Sequence, residues 1–412
     1  MSFKNQNIII FSQMQFDGQL ESTNYTMAKH LAKDNFVYYV DRPYTWRDYF
    51  KFRGTPGFHT RKPRFFSTKN CIIQTDNPNL KIIITPPVPS INALPEGKLY
   101  RLALKINELI VGKRLKTLIK NLHISNYVYI NSYNFAFPTL HKLLNPTLTV
   151  YHCVDPIIEP YQTKHGLISE DILVKGVDLV ISTSKELCNK KARLNKNSYF
   201  IPNAANISHS QKALNPQLPE ADILNGIKKP VIGYFGAIER RIDYELVKKL
   251  IASNPDKSFV FIGPVESYYI KDEDYKAPNI FFKGAVPYDL MPSVLKGFDV
   301  AIIPFKKDEV SNHIFPLKLF EYLGSGRPVV STDFNPDLKD FTHDTVSYCK
   351  NEAEFTKALD VALQDTNTLQ QKRLEIAADN TWEHRIMEIK DILEINFDKN
   401  MPQKQFFLKK VN

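Results

Sequence analysis

Apolar residues in this chain come in short continuous runs, and between the runs they recur at spacings of three and four. Continuous runs of this length read as strands buried on both faces, and the spaced stretches read as helices. The first run, residues 7–11 (NIIIF), leads through a polar turn to a helical pattern over 22–33 and a second run at 36–40 (FVYYV). That is a βαβ opening of the doubly wound kind. Further runs lie at 81–85, 127–130, 148–153, 179–182 and 199–201. Pro202 and Asn203 end the series, and the weakly patterned, Pro-containing 204–229 reads as a linker. The scheme restarts with runs at 230–235, 258–262, 280–282, 300–304 and 328–332, and helical patterns at 243–252, 290–296 and 317–323. From Glu352 to about Asn396 the pattern is helical. Strands alternating with helices imply parallel sheets. The expected class is α/β, with one domain over 1–203, a second over 230–380, and a helix and tail over 381–412 able to pack back on the first.

A length of 412 residues exceeds one comfortable core and agrees with two domains. Hydrophobic and charged fractions of 43% and 24% are those of an ordinary soluble globular chain. Cys71, Cys153, Cys188 and Cys349 are scattered without paired or metal-type spacing, which fits a reducing cytoplasm and no disulfide framework or zinc site. The first apolar run is too short for a secretion signal, and no run approaches the roughly 20 residues that cross a bilayer. Charge is uneven: residues 1–210 carry 27 Lys and Arg against 14 Asp and Glu, whereas the remainder carries 27 against 30. The whole basic excess lies in the first half, which suits an anionic membrane surface, nucleic acid or an acidic substrate.

The stretch FPLKLFEYLGSGRPVVST, from Phe315 to Thr332, sets one carboxylate in an apolar run. Pro316 suits a first helical position, Gly324 and Gly326 suit its end, and a strand follows. Leu317, Phe320 and Leu323 share a core-type face, while Lys318 and Glu321, three apart, share another. Read alone, that pair is a surface ion pair. Its context differs, because ligands of open α/β sheets bind beyond the carboxyl ends of the strands, and this helix follows such an end. With two such domains, the expected site is the cleft between them.

Four segments of the second half, VIGYFGAIERRIDYELVKKL, SFVFIGPV, NIFFKGAVPYDLMPSVLKGFDVAIIPF and PLKLFEYLGSGRPVVST, occur in an order that resembles the donor domain of GT-B glycosyltransferases, the family-4-like group 1 enzymes. VYHCVDP, DLVISTSKEL and YFIPNAAN in the first half match more loosely. The resemblance implies two facing Rossmann-like domains, a nucleotide-sugar donor, and a glycan or lipid-linked acceptor in surface polysaccharide biosynthesis. It gives Glu321 the two ribose hydroxyls, which one carboxylate can accept together. It gives Lys318 and the helix N-terminus the diphosphate. Gly236 would shape the loop that carries Arg240 and Arg241, either of which could neutralise the departing diphosphate. Gly284, Ala285 and Val286 would form the turn whose backbone reads the base. His313 stands where the family has a second Glu near the transferred sugar, so the stereochemistry stays open. No metal and no cofactor is expected.

In the first half, Asp17 and Gly18 lie in the turn after the first strand and are candidates for the acceptor side, or merely for a turn cap. Asp155 and His152, at the end of the strand in VYHCVDP, are candidates for the base that takes the acceptor proton, Asp155 first. From Lys98 to Lys120 a helical pattern places Leu99, Leu102, Ile106, Leu109 and Ile110 on one side and Arg101, Lys105, Lys116 and Lys120 on another. From Trp46 to Phe66 basic and aromatic residues interleave in what reads as a long loop. Both are either solvated surface or contacts to anionic lipid, so the expected location is cytoplasmic, with a peripheral place on the inner membrane face as the sharper option. The competing activities are a nucleotide-sugar epimerase or hydrolase on the same fold, and a basic nucleic-acid-binding protein. The last is disfavoured because no helix-turn-helix or RNP-type motif is visible.

Overall fold

The structure is a computed structural model and describes residues 3–18, 22–266, 268–269 and 276–401. Residues up to Pro202, with those from Ile386 onward, form one compact unit, and Asn203–Arg385 form another.

The first unit is built on one sheet of eight strands: β1 (Asn7–Ser12), β2 (Phe36–Val40), β3 (Ile72–Gln74), β4 (Leu80–Ile83), β5 (Tyr127–Ser132), β6 (Leu148–Cys153), β7 (Leu179–Ser182) and β8 (Ser198–Phe200). Their spatial order is β3-β4-β2-β1-β5-β6-β7-β8. Every pairing is parallel except β3 with β4, at the edge. Each residue of β5, β6 and β7 is buried, which is why these strands read as mainly apolar runs without alternation. The chain's last described helix, Trp382–Asn400, returns to this unit. Lys390 pairs with Asp34 at 2.5 Å, Phe397 sets its ring edge-on to Phe3 at 5.9 Å, and Asn396 accepts from Asn197 at 3.2 Å.

One sequence expectation changes here, and one that was left open is settled. The stretch from Trp46 to Phe66 is not a long loop: it holds helices Trp46–Lys51 and Pro56–Arg61. Thr45 and Asp48 form a capping box on the first, and Thr55 caps the second, with Pro56 opening it. The helix Lys98–Asn121 forms, and the stripe Leu99, Leu102, Ile106 and Leu109 points outward. Tyr100, Leu104, Val111, Leu115 and Leu118 point inward instead. The physical reason is that polar residues share the inward face by pairing with backbone. Arg114 donates to the carbonyls of Ile84 at 3.0 Å and Phe65 at 2.8 Å, and Asn107 donates to that of Pro89 at 3.1 Å. Glu108 accepts from the Thr139 amide at 2.6 Å.

The second unit has six parallel strands: β9 (Val231–Phe235), β10 (Ser258–Ile262), β11 (Ile280–Phe282), β12 (Val300–Ile303), β13 (Val329–Thr332) and β14 (Val346–Cys349). Their order is β11-β10-β9-β12-β13-β14. The stretch 204–229, read as a linker, packs into this unit, with Ala205, Ile207, Ala213, Ala221 and Leu224 in its core. The chain runs outward from β9 to β11 and then returns to β12 on β9's other side. Order reverses between β9 and β12, and the crevice beyond their carboxyl ends is where open α/β sheets take ligands. The first unit has the same kind of reversal between β1 and β5.

Candidate functional site

The loops that leave β9 and β12 are stitched together beyond the sheet of the second unit. The amide of Asp243 donates to Pro304 O and that of Lys306 to Arg241 O, each at 2.8 Å, and Ile242 bridges Phe305. The β12 loop then enters the helix Leu317–Gly324, which Pro316 opens without a side-chain cap. Pro316 is therefore the cap position and not the first helical residue.

Two glycines let these loops close. Gly236 has φ +143, and a Cβ there would lie 2.4 Å from Lys318 Nζ. Gly263, after β10, has φ +153, and its Cβ would come within 1.9 Å of Gly236 O. Any larger residue would be both strained and obstructed.

Lys318 Nζ therefore sits directly over Gly236. It lies 3.9 Å from the centre of the Tyr234 ring and 5.3 Å from that of Phe305, and it donates to the Tyr234 hydroxyl. Burial pushes its pKa well below the usual lysine range, and the nearby charge of Arg241 pushes it further. Glu239 and Glu321 act the other way. Arg241 lies over Phe305 at 5.6 Å, and its Nε donates to the buried carboxylate of Glu239. Arg240 is its half-buried neighbour.

One turn beyond Lys318, Glu321 is only 9% exposed. Its Oε1 accepts a 2.7 Å hydrogen bond from the hydroxyl of Tyr288, in the loop after β11. The Tyr288 ring stacks on His209 at 4.8 Å, and His209 Nε2 donates to Tyr288 O at 3.1 Å. Tyr322, next to Glu321, ties the helix to the end of β9, accepting from Phe235 N at 2.8 Å and donating to Phe235 O at 3.1 Å. Two basic side chains, Lys318 and Arg241, and two carboxylates, Glu239 and Glu321, thus gather at the switch point of the sheet.

Of the sequence candidates, Gly236, Arg241, Lys318 and Glu321 come together here. Val286 packs on the unit's core from the loop after β11. His313 is buried, and its Nδ1 donates to Glu309 O. Tyr288, Glu239, Tyr234 and His209 were not foreseen, since each lies in a different segment and none carries a motif. Residues 272–274 (DED) have the Asp-x-Asp spacing of metal-binding transferase loops, so the expectation of no metal loses the support it drew from the lack of such a run; they lie outside the described residues.

In the first unit, Asp17 is gripped by a bidentate ion pair from Arg61, at 2.6 and 2.7 Å. Arg61 is fully buried and also donates from Nε to the buried Asp41 at 2.7 Å. Burial raises the pKa of Asp17, but the hydrogen bonds and charge of Arg61 outweigh it and hold Asp17 below the usual carboxylate range. Gly18 is exposed beside it. His152 is buried at the end of β6, with Nδ1 3.0 Å from Ser132 Oγ, and burial lowers its pKa to about 4. It is a neutral, engaged imidazole at pH 7. Asp155, three residues on, is exposed.

Comparisons with known proteins bear on the same region. Residues 229–365 match the model of the family Glycosyl transferases group 1. A Bacillus subtilis protein that bears the name teichuronic acid biosynthesis glycosyltransferase TuaH is 26% identical over 214 residues, 48% of this chain and 53% of that protein. The match thus spans about half the length of the curated relative. Among solved structures, a UDP-forming α,α-trehalose-phosphate synthase from Burkholderia vietnamiensis has a TM-score of 0.64 at 10% identity, covering 96% of this chain and 99% of that one. Anabaena HepE in complex with UDP-glucose has 0.59 at 14% identity, covering 94% and 98%. These structures share the architecture of the whole chain: two Rossmann-like units, the GT-B fold. The resemblance to group 1 glycosyltransferases, drawn from the motifs of the second half, is met in that half.

Proposed function

We propose that this chain, whose residues 229–365 carry the Glycosyl transferases group 1 pattern, is a glycosyltransferase that moves a sugar from a nucleotide-sugar donor to a hydroxyl of a glycan or lipid-linked acceptor in surface polysaccharide synthesis. The observation that carries this reading is the buried Glu321, one helical turn from Lys318 at the carboxyl end of the second unit's sheet. A carboxylate held there accepts from both ribose hydroxyls. The ammonium of Lys318 and the guanidinium of Arg241 meet the diphosphate. In the reaction the bond from sugar C1 to the diphosphate oxygen breaks, the acceptor oxygen bonds to C1, and its proton leaves. Negative charge grows on the departing diphosphate, where the two cations stabilise it. Lys318 gains most from an arriving anion, because burial and Arg241 both disfavour its charge when the site is empty of one.

Asp155 is the base assigned to the acceptor proton. Its exposure supports this, whereas His152 is buried, neutral and bonded to Ser132. UDP is the donor nucleotide to test first, since one similar structure is a UDP-forming synthase and another holds UDP-glucose. The first unit takes the acceptor, and its basic excess supports work at the inner membrane face. Calorimetry with UDP, GDP and ADP tests the donor site. Product analysis with and without acceptor separates transfer from epimerisation or hydrolysis: sugar released or isomerised equally without acceptor would overturn transfer.

A further inference from the structure

We propose that the outward face of the helix Lys98–Asn121, with the aromatic cluster beside it, docks onto an anionic lipid bilayer by inserting side chains and not by charge alone. Leu99 and Leu102 are 62% and 60% exposed, and Ile106 and Leu109 continue the same stripe at 47% and 49%. Four large apolar side chains at helical spacing on one open face are unusual for a surface that meets only water. Lys98, Lys105, Lys113, Lys116 and Lys120 are exposed on the same helix. Its one acidic residue, Glu108, is buried against Thr139, so this face presents cations and apolar groups together. Arg101 is not part of the set, because it is tied to Glu96 at 2.7 Å and Ser169 at 2.8 Å.

The cluster Trp46, Phe50 and Phe66 adds a second element. Trp46 stacks on Phe66 at 6.2 Å and lies 6.4 Å from Phe50, and all three rings are exposed. Arg114 of the helix donates to the carbonyls of Arg64 and Phe65, which fixes this cluster beside the helix's second half. Arg47, Lys51 and Arg53 stand exposed around it. Exposed Trp next to basic groups matches the headgroup level of a membrane, where one side of the ring is apolar and the other wet. A second copy of the chain is the other occupant such a stripe could take. In a two-fold contact the helix would meet itself and set lysine against lysine, so the charge pattern favours an anionic surface. The surface stands apart from the donor chemistry, and either reading can fail without the other.

The test is sedimentation of the full chain with vesicles of phosphatidylcholine alone and of equimolar phosphatidylcholine and phosphatidylglycerol, with Trp46 emission and UDP binding recorded on the same samples. The expected result is binding to the anionic vesicles, a blue shift of Trp46, and partial retention at high salt, because inserted side chains are not screened. Trp382 is buried and contributes a constant background. Leu102→Ser with Ile106→Ser, both at exposed positions, should weaken binding by at least about tenfold. Lys105→Gln, Lys113→Gln and Lys116→Gln together should cost about fivefold per residue at low salt and leave the salt-resistant part. UDP binding should be unchanged in every variant. Equal binding to both vesicles, no binding to either, complete release at high salt, or a dimer that Leu102→Ser converts to monomer would each overturn the proposal. Vesicle binding without UDP binding would instead count against the donor site alone.

Discussion

Tyr288 donates its hydroxyl proton to Glu321 Oε1 across 2.7 Å, although the two residues lie 33 positions apart in the chain. The bond fixes one oxygen of the carboxylate and so orients the other. His209, stacked beneath the Tyr288 ring, fixes the phenol in turn. Removing the hydroxyl alone should loosen Glu321 without disturbing the packing. Tyr288→Phe is therefore expected to weaken UDP binding about tenfold, the value of one hydrogen bond to a charged group, while leaving thermal stability near that of the parent. Calorimetry and a melting curve on the same sample check both halves.

Lys318 and Gly236 form a steric pair as well as an electrostatic one. Gly236→Ala would drive a methyl to 2.4 Å from Lys318 Nζ at a φ that alanine rarely adopts, and it should abolish UDP binding. Lys318→Met keeps the volume and removes the charge. It should weaken UDP binding by roughly 1.5–3 kcal/mol and leave the weak binding of uridine unchanged, because only the phosphates have lost a partner. Equal losses for UDP and uridine would move Lys318 away from the phosphates.

The parts of this site that lie on one element could be read from the sequence, and those that join elements could not. Lys318 and Glu321 stand out because they break an apolar run at helical spacing. Gly236 follows a strand, where a tight turn is expected. Tyr288, Glu239 and His209 reach the site from separate segments, and no spacing rule links His209 to a residue 79 positions later. The same limit applies to the fold. Most strands of both sheets were visible as apolar runs, but β3 (IIQ) was too short and β14 (VSYC) too short and too mixed to register. The direction of the helix Lys98–Asn121 was hidden because Asn107, Glu108 and Arg114 pair with backbone in the interior.

Arg61 is the buried central cation between the buried Asp41 and the solvent-exposed Asp17. Arg61→Met would leave Asp41 buried and uncompensated, and is expected to destabilise the chain by ~3–5 kcal/mol. Adding Asp41→Asn should recover part of that loss, since the stranded charge is gone. Chemical denaturation of the two variants measures the difference; a double variant no more stable than the single one would show that Arg61 acts by packing.

His152 makes stability depend on pH. Its folded pKa, about 4, lies below the ordinary value of 6.5 because burial disfavours the imidazolium. The unfolded chain therefore binds a proton first as pH falls. The contribution of His152 is fully present above pH 6.5 and is lost as pH drops towards 4, by roughly 3 kcal/mol at most. His152→Asn should flatten the fall of melting temperature across that window relative to the parent. Parallel curves for parent and variant would mean that protonation at this position does not oppose folding.

Glu321 carries the functional reading, and UDP affinity of Glu321→Gln against the parent tests it most directly. Gln keeps the size of the side chain but removes the charge and one of the two acceptor oxygens. If Glu321 holds the ribose, the variant should bind UDP more weakly by roughly 1.5–3 kcal/mol, about a factor of ten or more, with an unchanged melting temperature. The parent should also prefer UDP to dUDP, and the variant should lose that preference. Equal UDP affinity in parent and variant, with the preference over dUDP intact, would contradict the assignment of this site to a nucleotide sugar.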